Sequence, residues 1–159
     1  DKFFNMFAMM LQRAPLFFPV VCPQAKFAPI YVEDIASVFL TALNDTQASG
    51  QRHDLCGPKT YTMQQLIEYT SKTSGTLRSI IPLGDGVSRL MATIMGQLPG
   101  KPFTKDNYLS MQVDSVCQQP SAILTKNPTP IEAVVPLYIG QRNQRSNYHK
   151  YRFNARHEN

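Results

Sequence analysis

A helix-rich α/β fold is predicted by three features of the amino-acid sequence. Apolar residues recur at i, i+3, i+4 and i+7 in successive stretches, most of them bounded by helix start or stop chemistry. Only two short runs, Gln51–Cys56 and Leu77–Pro82, carry a strand signature away from the proline-rich region. Between the first two helical stretches, Pro15, Pro19, Pro23 and Pro29 forbid a helix and call for extended or irregular chain.

Each element has its own reason. Phe3, Phe4, Phe7, Met10 and Leu11 share one helical face that ends before Pro15. The proline-broken stretch from Leu16 to Ile30 reads as extended or irregular. Ile35, Val38, Phe39 and Ala42 then form a second helical face, with Glu33 and Asp34 at its start, where the helix dipole favours anions. Gln51–Cys56 closes on Gly57-Pro58. Thr62 and Gln65 make a capping box for a helix that presents Met63, Leu66, Ile67 and Thr70 and stops at Gly75. The best periodic run is Val87, Leu90, Met91, Ile94, Met95 and Leu98, with Asp85 as cap and Pro99-Gly100 as stop. A further helix is predicted from Thr104, carrying Leu109, Val113 and Val116. The last has Thr129 as cap, Pro130 in its first turn, Glu132 completing the box, and a face of Ile131, Val134, Val135 and Tyr138.

Composition narrows the function. The chain has 159 residues, 43% hydrophobic and 17% charged, ordinary values for a folded soluble domain. Its apolar stretches are far shorter than the ~20 residues of a membrane-spanning helix. Cys22, Cys56 and Cys117 are odd in number and lack Cys-x-x-Cys spacing, so they are read as small buried hydrophobes in a reducing cytoplasm, with neither a zinc site nor a disulfide framework expected. The formal net charge of +5 is concentrated in the tail from Gln141 to Asn159, where Arg142, Arg145, Lys150, Arg152 and Arg156 face only Glu158. Interleaved with Tyr148, Tyr151 and Phe153, this tail could meet nucleic acid or anionic lipid, but its lack of apolar periodicity favours a solvated extension.

The segment Phe27-Ala-Pro-Ile-Tyr-Val-Glu-Asp-Ile-Ala36, followed by His53-Asp-Leu-Cys-Gly-Pro58 and the capped helix from Thr62, resembles the C-terminal portion of extended or atypical short-chain dehydrogenase/reductases, the NAD-dependent epimerase/dehydratase superfamily. Within that group it is most similar to the NAD(P)H-binding branch containing the Rossmann-type accessory subunit of respiratory complex I and its bacterial relatives. The resemblance spans residues 1–140. It implies the C-terminal lobe of a Rossmann-like fold, read as a fragment whose N-terminal, nucleotide-binding half lies upstream of Asp1. It further implies that NAD or NADP belongs to the full-length protein and none to this fragment. Under it, His53–Gly57 is expected to add a late strand to a large parallel sheet. Residues from Leu77 onward would form a substrate- or partner-binding lobe. A strand and apolar face evolved to meet an absent half should make the isolated chain self-associate or capture that half.

Catalytic residues of the family are not found here. Four residues beyond Tyr31, Tyr61, Tyr69, Tyr108, Tyr138, Tyr148 and Tyr151 stand Ile35, Gln65, Thr73, Gln112, Arg142, Arg152 and Ala155, so no Tyr-x-x-x-Lys exists. Gly84-Asp-Gly86 has Arg89 where a dinucleotide loop needs its third glycine, and reads as the turn before a helix. His53, His149 and His157 have no metal-ligand spacing. Four pocket candidates remain. Tyr31 could line a cavity beside the turn at residues 31–34. Asp34 could contact a cofactor or substrate, but as a helix-start carboxylate it is first expected to cap free N–H groups. Met91 and Met95 could form an adaptable apolar surface for a quinone or lipid tail, although a stripe at helical spacing ordinarily faces the core.

Three functions follow as expectations. The first is the lobe of an NAD(P)-binding, complex I accessory-subunit-like protein, cytoplasmic or peripheral to the inner membrane, with a respiratory-complex, quinone or lipid partner. The second is part of an active NAD(P)-dependent epimerase, dehydratase or reductase whose catalytic residues lie upstream. The third is a basic-tailed module for nucleic acid or a membrane surface, with nucleic acid the least favoured partner.

Overall fold

The structure, a computed structural model, describes residues 2–48, 50–97, 103–118 and 128–139. Its elements run α1 (Lys2–Arg13), β1 (Phe17–Val20), β2 (Lys26–Phe27), α2 (Val32–Asn44), a 3-10 turn (Thr46–Ala48), β3 (Tyr61–Thr62), α3 (Met63–Thr73), β4 (Ser79–Pro82), α4 (Asp85–Met95) and α5 (Lys105–Ser110). A final helix, α6, covers residues 131–139. The architecture is mixed α/β and helix-rich. Two small sheets serve it: β1 and β4 pair in parallel, and β2 and β3 pair antiparallel. Among the described residues no helix is long and apolar enough to cross a membrane.

The core follows the amphipathic patterns of α1, α3 and α6. Phe4 and Ala8 meet Leu66, Ile131, Val135 and Ile139 in one buried cluster. Leu11, Phe18, Val20, Met63 and Ile67 form a second, so α3 is the shared wall between the helices and the parallel pair. Thr62 accepts from Gln65 N–H at 3.2 Å while the Gln65 side chain accepts from Thr62 N–H at 2.8 Å, completing the expected box. The chain leaves α3 through Gly75, whose φ of +69° lies in the left-handed region that favours glycine. The proline-broken stretch is extended where expected, in β1 and β2.

Several expectations are corrected. Gln51–Cys56 is not a strand: the stretch is irregular, and it approaches β2 through Gly57, whose N–H reaches the Ala28 carbonyl at 3.2 Å. Pro29, the next residue along, has no N–H with which to continue a ladder. Cys56 and Cys117 are not separate buried hydrophobes but are joined in a disulfide, with Cα atoms 6.0 Å apart. Only Cys22 is a free, buried thiol.

The periodic run of α4 faces outward. Val87, Leu90 and Ile94 are exposed, whereas Ser88 and Ala92 are buried. The reason is polar: Ser88 Oγ accepts the Cys22 N–H at 3.2 Å, anchoring that side of the helix to the body. Gly84 is the residue that caps α4, and Asp85 instead accepts the Tyr108 hydroxyl at 2.8 Å. The helix stops at Gly96, and Pro99-Gly100 lies outside the described residues. Thr104 does cap α5, with its hydroxyl accepting the Asn107 N–H, but α5 is short and buries Tyr108. Leu109 and Val113 are exposed.

Helix α2 stands apart. Val38 is its one buried residue, while Val32, Phe39, Leu40 and Leu43 are 68%, 65%, 64% and 83% exposed. Its polar side chains bond to their own helix: Ser37 to the Glu33 carbonyl, Thr41 to Ser37, and Asn44 to Leu40, at 3.0, 3.0 and 2.9 Å.

Candidate functional site

An apolar groove of about 680 Å³ lies between the start of α1, the Pro29–Val32 segment and the first turns of α6. Amphipathic α1 supplies Phe3 and Phe4. Prolines 29 and 130 hold their segments extended just ahead of α2 and α6. Ile30, Ile131, Val134, Val135 and Leu137 complete an almost wholly aliphatic and aromatic lining, with Tyr31, Thr129 and Tyr138 contributing the polar groups.

Asp34 fixes this geometry from outside the lining. Its Oδ2 accepts the Thr129 N–H at 2.7 Å and its Oδ1 accepts the Thr129 hydroxyl at 3.0 Å. The carboxylate therefore serves the start of α6, 95 residues away, rather than the expected free N–H groups of its own helix. Charge-assisted bonds of this kind are the stronger ones in a protein, so Asp34 acts as the bracket between two walls. The expected Thr129–Glu132 box is likewise redirected. Glu132 accepts the Tyr61 hydroxyl at 2.9 Å and pairs with Lys59 Nζ at 3.4 Å.

These contacts tune the local acids and phenols. Glu132 titrates below the usual carboxylate range, first because its carboxylate accepts its own backbone N–H, then because of Tyr61 and Lys59. Burial, followed by hydrogen bonding to Glu132, drives the Tyr61 phenol well above its ordinary value. Burial also pushes Tyr138 up to about 12, with Tyr69 beside it adding to the shift. At the groove mouth, a hydrogen bond to Glu33 raises Tyr31. The phenols of the region are thus hydroxyl donors at neutral pH. The Tyr61 hydroxyl is committed to Glu132 and that of Tyr31 to Glu33, so what the lining offers a bound group is chiefly apolar surface.

Of the four candidates, Tyr31 lines the groove and Asp34 braces it. Met91 is half-buried on α4 and does not line the groove; the Met95 side chain lies outside what the structure describes, as does the basic tail. Sequence reading did not find Thr129 as the partner of Asp34, nor the Tyr61–Glu132–Lys59 cluster. The local signal for Thr129 was present in its Thr-Pro helix start, but nothing local points to an acceptor so far away in the chain. Among the described residues, no group of three His, Cys, Asp or Glu side chains could hold a metal ion. No protein-family model matches the chain.

Proposed function

We propose that these residues form the substrate- or partner-binding lobe of an atypical short-chain dehydrogenase/reductase-like protein that holds NAD or NADP in another part of the polypeptide. The observation that carries the reading is the parallel β1–β4 pair, with α3 packed on both strands and lying between them in sequence. Parallel strands occur almost entirely in larger α/β sheets covered on both faces. A two-stranded parallel sheet is therefore best understood as a part of such a sheet. The uncharged, exposed face of α2 supports the same view, because a helix apolar on most sides belongs in an interior. The apolar groove is the lobe's own contribution to binding.

The test uses the longer polypeptide that carries this lobe. Purified and acid-denatured, it is expected to release a nicotinamide nucleotide identifiable by mass spectrometry, while the 159-residue chain titrated with NADH shows no saturable binding. A longer protein that neither retains nor binds NADH or NADPH overturns the proposal, as does tight NADH binding by the isolated chain.

A further inference from the structure

The Ala28 backbone is gripped from both sides. Its N–H donates to the Ser115 carbonyl at 3.0 Å, and its carbonyl accepts the Gly57 N–H at 3.2 Å. The disulfide joins these two neighbours, since Cys56 immediately precedes Gly57 and Cys117 follows Ser115 by two residues. Together they form a closed covalent bracket around the Phe27–Pro29 backbone. The fit is close: a Cβ at position 57 would collide with the Pro29 carbonyl. The very next residues, Pro29 to Val32, are one wall of the apolar groove.

The noncovalent holds on the Ser115 side are a backbone bridge to β2 and one exposed pair. Ser115 N–H donates to the Lys26 carbonyl, and Asp114 meets Lys26 through its N–H at 3.2 Å and its Nζ at 3.6 Å, with both side chains about half exposed. Exposed pairs of this sort contribute little. The disulfide is the one covalent fastening of the bracket. Both of its cysteines are half-buried, within reach of a small dithiol.

We propose that the Cys56–Cys117 disulfide is a redox clasp on the groove wall. Oxidised, it holds Gly57 and Ser115 against Ala28 and fixes Pro29–Val32; reduced, it frees that wall while the α1–α3–α6 core stays folded. The chemistry is ordinary exchange. A thiolate of an external dithiol attacks one Sγ, the Cys56–Cys117 bond breaks and a mixed disulfide forms. The reagent's second thiol then displaces the cysteine, leaving two protein thiols and a cyclic reagent disulfide. The inference does not depend on the nucleotide-binding proposal.

Amide hydrogen exchange on the 159-residue chain, before and after treatment with dithiothreitol, tests it. Exchange at the hydrogen-bonded amides of Ala28, Gly57 and Ser115 is expected to accelerate about tenfold or more on reduction, with Leu66–Thr70 unchanged, because local opening can be far cheaper than global unfolding. Reoxidation should restore the slow rates, and the C56S/C117S double variant should mimic the reduced state. Uniform acceleration across the chain would make the bond a general staple and overturn the proposal. Unchanged rates would overturn it too, as would alkylation of both cysteines in the air-oxidised protein.

Discussion

Helices α2 and α3 begin from similar sequence signals and end in opposite situations. Each repeats apolar residues at helical spacing. In α3 the repeat is answered inside the molecule: Met63, Leu66, Ile67 and Thr70 are buried, and Gln64, Glu68 and Lys72 fill its outer side. In α2 the answer is missing from the described residues. Val32, Phe39, Leu40 and Leu43 are open to water, and no charged residue occurs between Ile35 and Asn44. Periodicity therefore identifies a face that needs covering without saying what covers it. The polar side of α3 marks a finished surface, and its lack on α2 marks an unfinished one.

Substitutions can break this contrast. Leu66→Ala, in the cluster with Phe4 and Val135, is expected to cost about 2–5 kcal/mol in urea unfolding, through lost burial and the cavity left behind. Next comes the bracket between the two regions. Asp34→Ala removes both bonds to Thr129 and should cost about 1–3 kcal/mol, with chemical-shift changes at the start of α6. Thr62→Ala, which deletes the α3 cap, should cost about 1 kcal/mol by the same unfolding assay. At the bottom of the scale, Phe39→Ser with Leu43→Ser should change monomer stability by no more than about 0.5 kcal/mol per site while lowering self-association in light scattering. A loss of several kcal/mol from that pair would mean α2 is already part of this core.

Titration approaches the same contrast from the α3 side, where Tyr61, Glu132 and Tyr138 cluster. A raised phenol pKa means the folded state resists ionisation, so the stability it confers is complete below the ordinary value near 10 and drains away as pH rises toward about 12 at Tyr138. Glu132 has the opposite sign. Its contribution is present above the ordinary carboxylate range and disappears as pH falls through its depressed value. Unfolding midpoints measured across pH should decline at both ends, with the alkaline decline reduced in Tyr138→Phe.

Much of the fold was legible in local chemistry. The Thr62–Gln65 box, the stop at Gly75, the prolines that keep residues 15–30 out of a helix, and the Ser79–Pro82 strand all depend on neighbours in the chain. What escaped depended on distant partners. The orientation of α4 was set by Ser88 bonding to Cys22, so the side carrying the small residues Ser88 and Ala92 turned inward against the helix's hydrophobic pattern. The Cys56–Cys117 bond links residues 61 apart with no spacing to announce it. Gln51–Cys56 had strand composition but met a proline-containing neighbour that could not extend a ladder. In the groove, Tyr31 was visible as a turn residue, whereas Asp34 was visible only as a helix-start acid, and its real acceptor role required the folded position of Thr129.

The internally satisfied hydroxyls and amide of α2 have a consequence for whatever seats on it. Ser37 and Thr41 already donate to carbonyls one turn back, and Asn44 directs one of its two amide hydrogens the same way, so dehydrating that face strands few donors. Contact made there is governed by shape and apolar area. It should be almost indifferent to sodium chloride, strengthened by sulfate, and weakened in the cold.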